Sequence, residues 1–135
     1  MKTVIIVDNE LPLGLIANTS AALGLSLGSN IAGLIGPPVK DYNENIHLGI
    51  TNINMPILSA TREQIKKIYN NLKAESNSEL IVIDFSTLAQ QSKSYDDYVN
   101  KMENEDADGL SYLGICIYGA KGAVNKVTGN ISTLK

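Results

Sequence analysis

Two carboxylates stand where an apolar run stops: Asp8 closes the run that starts at Lys2, and Asp84 closes the run that starts at Leu80. A β-branched run without polar alternation marks a strand covered on both faces. In open α/β sheets, ligands gather beyond the carboxyl ends of the strands. An aspartate there is placed to act as a general base or a binding group. The competing reading gives each aspartate the commoner task of holding the next turn by a local hydrogen bond. Gly14 follows at the entry to a helix, where free backbone N–H groups could meet an anion. Close packing or turn geometry is its alternative explanation.

His47 is the one histidine, so a triad or a His-ligated metal would require it. Beside a polar turn it reads more simply as an exposed side chain. Cys116 lies between Ile115 and Ile117 with no basic neighbour to lower its pKa, and reads as a small hydrophobe rather than a nucleophile. A single cysteine excludes an intramolecular disulfide and a cysteine-cluster metal site. The glycines do not follow the G-x-G-x-x-G spacing, and no G-K-[ST] occurs. No metal and no cofactor is therefore expected.

These residues must be positioned by a chain of 135 residues, the size of one domain, expected to span 1–135. With 44% hydrophobic and 19% charged residues it has the balance of a globular protein, and one Phe beside six Tyr leaves the core to aliphatic side chains. A net charge of −3 offers no general attraction to a polyanion, and the scattered lysines read as a solvated surface. The N-terminus enters a strand without a signal-peptide pattern, and no apolar run approaches a membrane span. A cytoplasmic protein without a membrane partner is the expectation.

In chain order, a strand at Lys2–Asp8 leads into a small-residue helix running toward Gly28, with Pro12 suited to its first turn. Ala17, Ala21, Gly24 and Gly28 form a stripe that allows close approach of the sheet or of a partner helix. The segment 31–45 reads as a surface loop, and 46–58 as an edge strand broken by turns and Pro56. Thr61 to Gln64 form a capping box that opens an amphipathic helix to about Ala74. A polar turn follows at 75–79. The strand ending on Asp84 is followed by short helices capped by Ser86 and Ser94. An acidic turn at 103–109 precedes a buried strand at 110–118, a last helix from Lys121 to Val127, and a short terminal strand at 131–134. This order describes a compact α/β sandwich around a largely parallel sheet, in which the first βα unit and the Asp84 strand lie side by side.

Three blocks together carry a family resemblance. Leu11, Gly14, Ile16 and Ala17 at the helix entry, the strand closing on Asp84, and the tail Leu113-Gly114-Ile115 with Val127, Thr128, Gly129 and Leu134 resemble the type II peptidyl-tRNA hydrolases. The resemblance is closer still to a bacterial branch with that fold, catalogued as a domain of unknown function. It implies a three-layer α/β sandwich with a four-stranded mixed, mostly parallel sheet between helices, and commonly a homodimer. It matches the family's aspartate to Asp84 and its hydroxyl to Ser111, and with these two Asp8, Gly14 and Asn18 are read as lining one pocket at the strand ends. The family's lysine after the helix-entry glycine is Leu15 here, and its glutamine and histidine fall at about Thr19 and Ala22.

Leu15 supplies neither charge nor donor for a phosphate backbone or an oxyanion. The leading reading is therefore an altered pocket that binds a small molecule, peptide or protein partner, or carries out another hydrolysis. In a hydrolase, Asp84 would orient water or Ser111, amides near Gly14 would stabilise the oxyanion, and Asn18 would orient a carbonyl. The alternatives are peptidyl-tRNA hydrolysis through Asp84 and Ser111, with tRNA a disfavoured partner, and a non-enzymatic interaction module.

Overall fold

A computed structural model describes residues 1–75 and 79–135. The elements follow in the order β1 (Lys2–Asp8), α1 (Leu13–Asn30), β2 (Val39–Lys40), β3 (Ile46–His47), β4 (Ile57–Ala60), α2 (Arg62–Ala74), β5 (Ile81–Ser86), α3 (Thr87–Gln91), α4 (Tyr95–Glu103), β6 (Tyr112–Gly119) and α5 (Lys121–Thr128). Local signals in the sequence fix several of these boundaries. Gln64 N–H donates to Thr61 Oγ1 at 3.1 Å while Thr61 N–H donates to Gln64 Oε1 at 2.9 Å, which closes the expected capping box. Ser86 accepts from Ala89 N–H and Ser94 from Asp97 N–H, so both serines cap the helices that follow them. Pro12 stands at the cap of α1, just outside the first turn.

The sheet has the order β4-β1-β6-β5. The mostly parallel arrangement is corrected: among the described residues β1 and β4 form the one parallel pair, and β6 runs antiparallel to both β1 and β5. The expectation that the first βα unit and the Asp84 strand lie side by side is corrected for the strand of that unit, since β6 lies between β1 and β5, while α1 does lie against β5. All eight residues of β6 are buried. A strand with no solvent-facing side belongs in the centre of a sheet, and this one enters from the end where β1 and β5 stop.

Helices cover both faces. α2 and α5 pack over Val4, Ile6, Leu58, Ile115 and Ile117, while α1 packs over Ile5, Val7, Cys116 and Tyr118. Ile6, Ile115 and Ile117 are fully shielded, and each such side chain contributes about 1.5–3 kcal/mol relative to exposure. Gly114 lets α1 approach: a Cβ there would lie 2.8 Å from Thr19 Cγ2 and 3.0 Å from Ile6 O. Of the small-residue stripe on α1, Gly24 faces Met55, whereas Ala17 and Ala21 face outward.

The region 31–58 is less regular than a loop followed by a strand. β2 and β3 form a separate two-stranded arm, and the main sheet resumes only at Ile57, after Pro56. The terminal segment bridges Thr133 to Leu58 and is bonded through Ser59 N–H to Ser132 O at 2.8 Å, so it closes the outer edge of β4. The polar turn expected at 75–79 includes 76–78, which lie outside the described residues.

Candidate functional site

The carboxyl ends of β1 and β4 meet the start of β6, and three side chains join there. Asp8 is buried; its Oδ2 accepts from Arg62 Nε at 2.9 Å and its Oδ1 from Glu10 N–H at 3.0 Å. Arg62 Nη1 donates to Ser111 Oγ at 3.4 Å. Arg62 is placed for this because it opens α2 two residues after Ala60, the residue that pairs with Asp8. Asp8 and Ser111 are thus brought together through a residue to which the sequence reading gave no role. A signal for it existed: a cation in the first turn faces the positive end of the helix dipole, so it calls for an acidic partner. With Glu10 and Glu63 beside it, this corner has no surplus of positive charge to draw in an anion. It acts as a clamp between β1, α2 and the start of β6.

Asn18 and Gly14 lie elsewhere on α1. Asn18 Nδ2 donates to Gln90 Oε1 at 3.1 Å, which ties α1 to α3. Gly14 is exposed, a Cβ on it would meet nothing within 4 Å, and its φ is not positive. Neither close packing nor a turn accounts for that glycine. Among the described residues no hydrogen bond joins Asn18 or Gly14 to Asp8, Arg62 or Ser111.

Asp84 is not the end of its strand, which continues to Ser86. Among the described residues it makes no local cap. Its Oδ1 instead accepts from Tyr69 Oη at 3.1 Å, on the face covered by α2. Tyr69 packs on Tyr112 with ring centroids 4.5 Å apart, and Tyr98 of α4 lies within reach of the Asp84 charge. Burial first, and that carboxylate second, push the phenols of Tyr69, Tyr98 and Tyr112 above their ordinary range. Among the described residues no cationic side chain forms an ion pair with Asp84.

Asp84 also lines a groove of about 780 Å³ that runs along β5. Ala22, Leu23 and Ser26 of α1 form one wall, residues 81–85 the floor, and Ser94, Tyr95 and Tyr98 the other wall. Its volume is in the range of ligand pockets, and its lining is apolar with a few polar groups. The groove flanks the edge strand rather than capping the strand ends. An antiparallel β6 at the centre removes the crevice that parallel neighbours would open at their carboxyl ends.

His47 sits on the exposed arm with Nε2 at 2.8 Å from Asp41 Oδ2, and that bond is the first cause holding the Asp41 carboxyl below its usual range. Cys116 is buried, and burial pushes its thiol up, against a smaller opposing effect of the Thr3 hydroxyl. Nucleophilic hydrolysis needs base and nucleophile within hydrogen-bond reach. Here Ser111 Oγ is engaged by Arg62 and the Asp84 carboxylate by Tyr69, and among the described residues no hydrogen bond joins the two.

The family model described as a protein of unknown function, DUF2000, matches residues 1–135. A solved structure of a protein of unknown function from Agrobacterium tumefaciens strain C58 is similar over 98% of this chain and 96% of that chain, with a TM-score of 0.87 and 14% identity. At that identity the likeness is one of fold. No curated protein matches the sequence.

Proposed function

We propose that this chain, which belongs to the DUF2000 family of proteins of unknown function, is a binding protein. The groove along β5 takes a small molecule or peptide whose cationic or donor group sits at Asp84. One observation carries the reading: Asp84 is a partly buried carboxylate on the groove floor, partnered by a phenol and by no cation among the described residues. A charge withdrawn from water without a counter-charge is costly, and a ligand that supplies one recovers that cost on binding. Lys93 also lines the groove, but its side chain belongs to an exposed residue, where water already solvates the ammonium. The half-shielded acid therefore sets the preferred ligand charge.

Benzylamine and phenylacetate test this, since they share an aromatic body and differ in charge. In a titration followed by backbone amide shifts, benzylamine binds in preference to phenylacetate, and Asp84→Asn removes the preference. Equal binding of the two, or a preference that survives Asp84→Asn, would refute the reading.

The type II peptidyl-tRNA hydrolase-like architecture belongs to the same proposal, supported by the four-stranded mixed sheet between helices. Peptidyl-tRNA hydrolysis is the less supported activity, because Asp84 and Ser111 are each engaged with other side chains.

A homodimer is supported by a separate observation. None of the eighteen residues of α1 is charged, and Leu13, Ala17, Ala21 and Leu25 form an exposed row, large-small-small-large. Such a row complements itself about a two-fold axis between Ala17 and Ala21. A helix of eighteen residues is about 27 Å long and about 10 Å across, so it offers roughly 300 Å² against the about 800 Å² per partner of a stable interface. The exposed Ile35, Val39, Ile46, Leu48 and Ile50 around the β2–β3 arm are apolar surface that can supply the remainder.

A further inference from the structure

The floor of the groove is the edge of a sheet, and its backbone can be followed residue by residue. Ile5 N–H donates to Pro56 O at 3.0 Å and Asn9 N–H to Ala60 O at 3.0 Å, so the odd residues of β1 turn their peptide groups to β4. The even residues, Val4 and Ile6, must then face β6, where they pair with Ile117 and Ile115. Ile117 and Ile115 thus point their peptide groups toward β1, and Cys116 and Tyr118 point theirs toward β5. On β5 the partners of those two are Ile83 and Ile81, while Val82 and Asp84 pair with Ile117 and Ile115. Val82 and Asp84 therefore turn both N–H and C=O away from the sheet. No backbone hydrogen bond outside the regular elements reaches either residue, among the described residues.

The opposite edge is treated differently, since the terminal segment covers β4. Proteins ordinarily cover, charge or shorten an edge strand, because open peptide groups recruit another strand. β5 instead keeps two open residues, spaced by two, along a groove whose walls mix apolar and polar side chains.

We propose that the groove binds an extended peptide segment, which adds to β5 as a fifth strand through the peptide groups of Val82 and Asp84. This rests on the groove reading above and names its ligand class. Charge complementarity selects the peptide. The residue opposite Asp84 puts its side chain on the same face as the carboxylate, with Cβ atoms about 4.5–5.5 Å apart, so a lysine or arginine there meets it. The residues on either side lie opposite Ile83 and Phe85 and turn toward the α1 face, where the groove is apolar. The preferred segment alternates apolar, cationic, apolar.

The probe is a capped five-residue peptide alternating valine and lysine, used unmodified and in two forms N-methylated on alternate sets of amides. Hydrogen exchange of the Val82 and Asp84 amides slows roughly tenfold with the unmodified peptide, about what one added hydrogen bond provides. Ile81 and Ile83, already bonded to β6, do not change. One methylated form keeps its binding and the other loses it, since only one set of peptide amides faces β5. A peptide with glutamate in place of lysine binds more weakly, by a margin that Asp84→Asn removes.

Equal binding of the two methylated forms, strong or weak, would overturn strand addition. So would failure of the unmodified peptide where benzylamine still binds, an outcome that leaves the groove reading intact. If Val82 and Asp84 are already protected in the free protein in proportion to its concentration, a second copy holds that edge and the proposal is overturned. Failure of both peptide and benzylamine removes the groove reading as well.

Discussion

Replacing Arg62 with alanine tests the clamp at the sheet end. Asp8 Oδ2 loses its 2.9 Å partner and keeps the Glu10 N–H on the other oxygen. The side chains are 38% exposed for Arg62 and 5% for Asp8, so one partner is solvated in part and the other hardly at all. Breaking a fully buried pair costs about 3–5 kcal/mol, whereas an exposed pair contributes about 0.2–1 kcal/mol. About 2 kcal/mol lies between these limits and suits this mixed exposure. At this chain length that is a fall of roughly 8 °C in Tm. Urea unfolding followed by circular dichroism measures the loss, and a cycle with Asp8→Asn isolates the pair. Arg62→Lys recovers part of it, since an ammonium can meet Asp8 but lacks the fork that also reaches Ser111. A loss below about 0.5 kcal/mol, or single effects that simply add in the double variant, would refute the clamp.

Tyr69, Tyr98 and Tyr112 titrate above the ordinary value of 10.0. Raised phenols favour the folded state fully below that pH, and the contribution is lost as pH rises through their folded values. Ultraviolet titration of Asp84→Asn shows these transitions moving down toward 10.0 without reaching it, because burial remains; an unchanged titration would show that the carboxylate does not act on α4. Asp97 is held below 3.8, first by the Lys93 N–H and then by Lys101. Its contribution is present above 3.8 and lost as pH falls through the lower folded value, so the Lys93 amide shift changes with a midpoint under 3.8. A midpoint at or above 3.8 contradicts that bond. Leu25→Asp puts a charge on the exposed row of α1, and light scattering after size exclusion reports a dimer for the parent chain and a monomer for the variant. A monomeric parent chain would remove the dimer proposal.

What the sequence disclosed was mainly local. The run from Lys2 to Asp8, the capping box at Thr61 and the caps at Ser86 and Ser94 depend on neighbours within a few residues, and each stands where its chemistry places it. Strand order is not local. β1, β5 and β6 are all apolar runs, and such a run looks the same whether its neighbour is parallel or antiparallel, so β6 was not foreseen between the other two. The site residues divided for the same reason. Asp8 and Ser111 meet only because β6 starts where β1 stops, and Arg62, which joins them, sits inside a capping box that explains the turn without it. Asp84 lies two residues short of the end of β5, and its partner Tyr69 comes from the helix before it, a contact no spacing announces. The arm at 39–47 has two-residue strands, too short for any periodicity to show.

The central claim is that ligand enters the groove along β5 and not the sheet end at Asp8, Arg62 and Ser111. An amide-shift map of the chain titrated with benzylamine separates the two. The account predicts that the shifted amides fall in 22–31, 81–85 and 92–98 and that Asp84→Asn weakens them to the level that phenylacetate produces. Shifts centred on Asp8, Arg62 and Ser111, with 81–85 unmoved, would contradict it.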